Sequence, residues 1–459
     1  MRIVLSNDIK LYGVPIDVRE ILKDELTLIN PKWLDNERMG RWNRGTPKLL
    51  KYFIDDKGCL AIPRGCKSSL LDLCQSEKIQ IKDLKRKLKE VNFKFHGKLK
   101  PYQTKAQKAI IPYDNAVLQA PTGSGKTVMG LSIIAKRNQP TLIIVHTKEL
   151  LNQWKARINT FLNIPDKEIG TIGGGAKKLG KKITVGMIQS IYKIADEIAP
   201  HIGHLVIDEC HRVPSRTFYE AAIEFDCKYF LGLSATPFRR DGMTKLISWF
   251  IGPTRSDIPI QEMRDIKAIT EIDFVFRCTE FKAEELSAQF EYSKVIKALT
   301  EDETRNEMIA DDAIYESKKG KGIALIVSDR KEHCHALQKL IQDQGHDCSL
   351  LIGTLKGKER AQTVDEINSG KVKIVIATGQ LIGEGFDCPN LYALFLTTPI
   401  RFKGRVTQYL GRILRPSADK DRSKVYDYID VNIPILRASG RARAKEYKDN
   451  FNYTGKRPF

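Results

Sequence analysis

The chain of 459 residues reads as an α/β protein, with two tandem parallel-sheet lobes behind a small mixed α+β N-terminal domain. Three observations predict this. The length exceeds one ordinary core and suggests two to four domains. From about residue 96 onward, short β-rich runs alternate with longer helical patterns, as parallel-sheet architecture requires. Runs such as Leu142-Ile143-Ile144-Val145 are apolar on both faces, as strands buried from both sides must be.

Residues 1–95 hold short mixed segments punctuated by Gly, Pro and Trp, and a basic helical stretch over 82–94 leads out of them. This region is read as an accessory domain. Trp33, Trp42, Tyr52 and Phe53 could stack on bases there, although the burial habits of aromatic residues favour the core of a small domain. The first lobe, 96–255, carries candidate strands at 116–119, 141–146, 183–187, 205–208 and 229–234. Residues 256–304 are irregular and more charged, and read as a connection with a small insertion. The second lobe, 305–459, carries candidate strands at 322–328, 348–352, 373–377, 393–397 and 424–429, then a basic tail.

Composition excludes several classes. No apolar run approaches the roughly 18 residues needed to cross a bilayer, and Asp8 and Lys10 interrupt an N-terminal apolar stretch too short for a signal peptide. A cytoplasmic location, in a bacterial or phage-infected host cell, is the default expectation. The nine cysteines include no Cys-x-x-Cys pair and read as reduced thiols. His333-Cys334-His335 reads as a helix with mixed faces, not a metal site. The net charge of +20 is unevenly spread: residues 1–100 hold 22 Lys and Arg against 13 Asp and Glu, and residues 401–459 hold 15 against 6. Each end thus carries +9 and the middle 300 residues only +2. Basic ends suit phosphate backbone, acidic lipid or an acidic protein.

The chemistry-bearing pattern begins at Ala120-Pro121-Thr122-Gly123-Ser124-Gly125-Lys126-Thr127, between the strand Val117-Leu118-Gln119 and a helix starting near Lys126. Strand, glycine loop and helix in that order make a phosphate cradle: backbone N–H groups and the helix N-terminus face the phosphate oxygens. Lys126 suits the β- and γ-phosphates of ATP, and Thr127 suits a Mg²⁺ ion. About 80 residues on, Asp208-Glu209-Cys210-His211 ends the strand Leu205-Val206-Ile207. Asp208 suits the Mg²⁺ shell, and Glu209 suits orienting and deprotonating an attacking water.

Asp208-Glu209-Cys210-His211 resembles the DEAD/DEAH box of superfamily 2 helicases, and other motifs of that family follow in order. Lys100-Pro101-Tyr102-Gln103 resembles the adenine-reading motif. Val145-His146-Thr147-Lys148-Glu149-Leu150 and Thr184-Val185-Gly186-Met187-Ile188-Gln189-Ser190 resemble motifs of the strand-binding groove. Ser234-Ala235-Thr236-Pro237 is similar to the motif linking hydrolysis to unwinding. Ile326-Val327-Ser328, then Thr378 with Gly383-Glu384-Gly385-Phe386-Asp387, then Gln408-Tyr409-Leu410-Gly411-Arg412-Ile413-Leu414-Arg415 resemble the fourth, fifth and sixth motifs. Phe238-Arg239-Arg240-Asp241-Gly242 points to the XPB-like group that also holds phage-type branch-migration helicases. In that group Arg240 and Asp241 would engage duplex DNA.

The resemblance covers about residues 96–430 and implies two RecA-like lobes with ATP and Mg²⁺ between them. Gln103, Thr122, Gly123, Ser124, Gly125, Lys126, Thr127, Gly385 and Asp387 would bind nucleotide. Lys126, Asp208, Glu209, Gln408, Arg412 and Arg415 would carry catalysis, the last two as arginine fingers. It also implies a monomer acting on forked or branched DNA in replication, recombination or repair, alongside replication or recombination proteins. Other readings are a duplex translocase that remodels protein–DNA complexes, an RNA helicase and an ATP-gated clamp. For Arg437, Arg441, Arg443, Lys445 and Lys448, two readings stand: contacts to DNA, or a last helix packed on the second lobe with solvated arginines.

Overall fold

The computed structural model describes all residues except 57, 76–77, 213–220, 236–241, 267–268, 284–291, 320–321, 354–356, 380–389, 401–402, 415–421, 452 and 456–459. Two compact units divide the chain: Met1–Pro121 with Gly125–Ile258, and Pro259–Phe459 with Thr122–Ser124.

In the first unit the N-terminal residues form β1 (Arg2–Leu5), β2 (Asp8–Tyr12), β3 (Thr27–Ile29), β4 (Leu49–Lys51), β5 (Ile54–Asp56), β6 (Cys59–Pro63) and β7 (Gln80–Asp83). A five-stranded sheet in the order β5-β6-β2-β1-β7 stands beside the β3-β4 ribbon. Ile3, Leu5, Ile9, Leu11, Leu60 and Ile62 alternate inward and pack on Leu22 and Leu70 of the covering helices. The eight-stranded sheet holds β8 (Asn115–Gln119), β9 (Thr141–Val145), β10 (Gly170–Gly173), β11 (Ala176–Lys178), β12 (Ile183–Met187), β13 (His204–Asp208), β14 (Tyr229–Ser234) and β15 (Thr254–Asp257). Its order is β11-β10-β12-β9-β13-β14-β8-β15, parallel apart from the β10–β11 pair. Helices cover it, and β9 and β13 are buried at every residue.

The small domain is fastened to this sheet. Arg64 is 5% exposed, and burial pulls its pKa down. Its guanidinium donates to the carbonyls of Phe225 at 3.3 Å and Lys228 at 3.2 Å and to Asn115 Oδ1 at 3.3 Å, and it lies 3.8 Å from the Phe230 ring centroid. A β-carbon on Gly65 would come within 2.1 Å of the Ser248 carbonyl, so only glycine permits this approach.

Residues 82–94 are not the expected helix: Lys82 and Asp83 end β7, and 84–94 run as an irregular strap over the first unit. Lys85 pairs with Asp114, Arg86 Nη2 lies 2.8 Å from Asp226 Oδ2, and Leu88 N–H donates to Gln139 Oε1 at 2.8 Å. Partners distant in sequence supply bonds that a local helix would otherwise make. The aromatic residues divide. Tyr52 packs against Trp249 and Phe250, with centroids at 5.7 and 6.0 Å. Trp42 is 84% exposed, contrary to the core expectation.

The second unit contains β16 (Glu271–Thr279), β17 (Ile323–Ser328), β18 (Ser349–Leu351), β19 (Ile374–Thr378), β20 (Leu391–Leu396) and β21 (Arg422–Asp430), in the order β16-β21-β20-β17-β19-β18 with every pairing parallel. β16 lies inside the stretch expected to be a connection, yet it pairs with β21 along its whole length. The tail forms the helix Pro434–Phe451. Arg437, Arg441, Lys445 and Lys448 are exposed on it, but Arg443 is 4% exposed and bonded to buried Asp427. Arg443 therefore leaves the set of DNA-contact candidates. Among the described residues no helix is long and apolar enough to cross a membrane.

Candidate nucleotide site

β8 ends at Gln119, and Ala120 N–H donates to the Ser234 carbonyl at 2.9 Å, tying the loop root to β14. The chain turns through Gly123 at φ +86° and Gly125 at φ +82°, then enters the helix Lys126–Arg137. Gly125 is required because its φ is left-handed, a conformation that strains a residue with a β-carbon. Gly125 offers no side chain to cap the helix, so the first-turn N–H groups can serve an anion. Lys126 Nζ donates to the Ala120 carbonyl at 3.2 Å and lies 3.9 Å from Glu209 Oε1.

The acidic pair stands at the carboxyl end of β13. Asp208 is 6% exposed. Its Oδ2 accepts from Trp154 Nε1 at 2.8 Å, and its Oδ1 from Glu209 N–H at 2.9 Å. Glu209 has a left-handed φ of +46°, uncommon for a residue with a β-carbon. His211 Nδ1 lies 2.9 Å from Ser234 Oγ and 3.4 Å from Glu209 Oε2. His146 Nε2 lies 3.3 Å from the Glu209 carbonyl, and Gln189 Nε2 donates to the His146 carbonyl at 3.4 Å. Side chains following β9, β12 and β13 thus meet β14 and the loop after β8 along one edge of the sheet, where parallel sheets hold their ligands.

Burial, and then the neighbouring charge of Glu209, push the Asp208 carboxyl up to about 6, against the opposing pull of Trp154 and Lys126. The native state therefore holds this proton more tightly than the unfolded chain does, and it loses stability as pH rises from about 4 to about 6. Asp208→Asn removes the buried charge and keeps one acceptor, for Trp154, while its amide NH2 faces the Glu209 N–H and loses that bond. The hydrogen-bond loss is the same at every pH, so relative to its parent the nucleotide-free variant should gain about 1–3 kcal/mol of stability between pH 4 and pH 7. Denaturant titrations of both proteins at pH 4 and pH 7 check this; a stability difference between them that is the same at both pH values would contradict the burial argument.

Gln103 is buried in the helix Pro101–Ile110, and its Oε1 accepts from Lys100 N–H at 2.9 Å as a local cap. Thr127 is half-buried in the first turn after the loop. In the second unit Ser328 ends β17, with its Oγ 3.0 Å from His333 Nδ1, and Thr378 ends β19. Gln408 and Arg412 belong to the helix Lys403–Ile413, with Arg412 half-buried in its last turn. Gly385, Asp387, Arg415, Arg240 and Asp241 lie outside the described residues, as do Thr236 and Pro237. His333 is wedged between Ser328 and Asn306, whose Oδ1 is 2.8 Å from Nε2, and burial lowers its pKa to about 3. That is a packed polar link in a core.

Three contacts were not foreseen: Trp154 to Asp208, His211 to Ser234 and His146 to Glu209. Trp154 falls on the stripe Leu151, Trp154, Ile158, Leu162, which reads as ordinary helix core. Its indole N–H was the available signal, because a buried one needs an acceptor.

Comparison with known proteins follows the same division. Residues 96–239 match the family model described as type III restriction enzyme, res subunit, and residues 304–417 match the helicase conserved C-terminal domain. A stretch of 155 residues is 41% identical to the DNA 3'-5' translocase XPB2 of Sulfurisphaera tokodaii and covers 34% of each chain. Over 386 residues the chain is 26% identical to L396 of Acanthamoeba polyphaga mimivirus, which bears the name of an ATP-dependent RNA helicase; this spans 78% of the present chain and 69% of that one. Among solved structures, Saccharomyces cerevisiae Dbp5 bound to RNA and ADP BeF3 shares the fold, with a TM-score of 0.53 at 16% identity over 76% of this chain and 86% of that one.

Proposed function

The chain belongs to the ATP-hydrolysing helicases of superfamily 2, in their XPB-like group, and from that premise we propose that it is a DNA helicase or translocase working on forked or branched DNA. The observation that carries the motor half of this reading is the meeting of Lys126, Asp208, Glu209, His211 and Ser234 along one sheet edge. The DNA half is supported by the 41% identity to a protein named as a DNA translocase. The +9 charge at each end adds to it.

In this reading the N–H groups of residues 122–125 and the following helix cradle the phosphates, and Lys126 neutralises charge on the β- and γ-groups. Thr127 and Asp208 would hold Mg²⁺, which supplies charge neutralisation when bound. The fit rests on hard oxygen donors and on Asp208 itself, a buried carboxyl beside a second acid, which a cation would relieve. Glu209 orients and deprotonates the attacking water. Gln103 leaves its cap on Lys100 to read adenine. Gly385 and Asp387 contribute to the nucleotide pocket, Gln408 contacts nucleotide or water, and Arg412 and Arg415 stabilise charge on the transferring phosphoryl group. Product release resets the motor.

The experiment is a panel of forked DNA, linear DNA duplex and RNA duplex, each assayed for stimulated ATP hydrolysis and strand displacement. Forked DNA should give the largest response in both, and its binding should weaken steeply with salt because phosphate contacts release counterions. Stimulation on linear duplex without displacement would make the chain a pure translocase. A dominant RNA response would favour the second reading, an RNA helicase, for which the name of L396 speaks.

A further inference from the structure

Of the four tryptophans, only Trp42 is exposed, at 84%. It belongs to an excursion of the N-terminal domain over residues 30–51, made of the helix Pro31–Arg38, a loop and β4. The loop is built. Asn30 Oδ1 accepts from Lys32 N–H at 3.0 Å, and its Nδ2 donates to the Pro47 carbonyl at 2.9 Å. Asn36 Nδ2 donates to Asn43 Oδ1 at 3.0 Å, Asn43 Nδ2 donates to the Trp33 carbonyl at 3.3 Å, and Arg41 N–H donates to the Asn36 carbonyl at 2.8 Å. A two-stranded ribbon is marginal by itself. This one is anchored by Leu28, Leu50 and Tyr52, which pack on the core of the eight-stranded sheet.

So ordered a loop presents its indole to water, although burying an aromatic of this size is a large favourable contribution. Its surroundings are cationic. Residues 30–51 hold six basic residues, Lys32, Arg38, Arg41, Arg44, Lys48 and Lys51, against Asp35 and Glu37. All six are exposed, and among the described residues none of them is ion-paired. Arg44 stands 5.8 Å from the Trp42 ring centroid, and Lys48 Nζ stands 4.9 Å from that of Trp33. A π-face set among unneutralised cations is the chemistry that takes a base on the ring and phosphates on either side.

We propose that residues 30–51 form a single-strand platform on which Trp42 stacks a nucleic-acid base while Arg41, Arg44 and Lys48 hold the flanking phosphates. This rests on the reading that the chain acts on nucleic acid. It adds a site in the N-terminal domain that grips unpaired nucleotides. The excursion is tied through Tyr52 to Trp249 and Phe250 at the end of the helix Lys245–Phe250, so a strand held there is held by the same compact unit as the phosphate loop's root.

The test measures binding of fluorescein-labelled oligothymidylate, and of an abasic strand of equal length, to the full chain and to its Trp42→Ala and Trp42→Phe variants. Trp42→Ala should weaken oligothymidylate binding about tenfold, as loss of one stacking contact does. Trp42→Phe should recover most of the loss, and on the abasic strand the variants should match the parent. An unchanged thermal midpoint, expected for a side chain this exposed, confirms that all fold alike. Oligothymidylate binding by Trp42→Ala equal to the parent overturns the platform. So does an equal loss on the abasic strand, which would make the patch a surface for phosphate or an acidic protein. If a nucleic acid stimulates the ATPase while Trp42→Ala binds normally, the platform alone fails. If no nucleic acid binds or stimulates the parent, the helicase reading fails with it.

Discussion

Replacing Lys126 with alanine should cut ATP turnover by roughly 10²–10³-fold, the loss that follows removal of one preorganised charge from a transition state. The ammonium is preorganised here: the Ala120 carbonyl holds it at 3.2 Å, and Glu209 Oε1 lies 3.9 Å away. Its loss has a second effect. Lys126 is one of the groups that restrain the upward shift of Asp208, so without it that carboxyl should hold its proton more tightly and grip a cation less well. Hydrolysis should fall through both routes, while nucleic-acid affinity falls much less, because backbone contacts are spread over many cations. Steady-state phosphate release and oligonucleotide binding separate the two. Undiminished turnover would remove the glycine loop from the mechanism.

Arg443→Ala should destabilise the second unit by about 3–5 kcal/mol, the cost of stranding a buried charge. Arg443 Nε lies 3.0 and 2.9 Å from the two carboxylate oxygens of Asp427, its Nη2 donates to Oδ1 at 2.7 Å, and its Nη1 donates to Ser439 Oγ at 3.1 Å. Tyr447 OH donates to Asp427 Oδ2 at 2.8 Å and its ring stacks on Phe274 with centroids at 4.2 Å, so the ion pair holds the last helix to β21 and the ring stack holds it to β16. Asp427 has no exposed surface. Arg443→Lys should rescue only part of the loss, because an ammonium cannot reproduce the planar fork. Alanine at exposed Arg437, Arg441, Lys445 or Lys448 should change stability by no more than about 0.5 kcal/mol. Urea denaturation of the six variants checks the contrast; an Arg443→Ala protein as stable as its parent would contradict the buried pair.

The strands buried on both faces were legible in the sequence because their signal is local and continuous. Tyr229–Ser234 and Ile183–Met187 match their expected bounds. β16 was not legible, because it pairs on one side only and Glu271 and Asp273 interrupt its apolar residues. Residues 84–94 misled because their charges suit a helix in isolation. Asp114, Asp226 and Gln139 claim them from afar. The candidate site divides likewise. Spacing revealed the glycine loop and the acidic pair as chemistry. It could not reveal that Trp154 restrains Asp208, or that His211 reaches Ser234 on the adjacent strand, since both contacts exist only once the sheet has formed. Trp42 was assigned by the average habit of tryptophan, and its departure from that habit became the clue to its use.

The most direct test of the central claim is the steady-state ATPase rate of the full chain with saturating forked DNA, set beside its rates with linear DNA duplex, with RNA duplex and with no nucleic acid. A low basal rate is expected, with strong stimulation by the fork and loss of that stimulation in Lys126→Ala. A rate that no nucleic acid changes would contradict the motor, and a rate that only RNA raises would contradict its assignment to DNA.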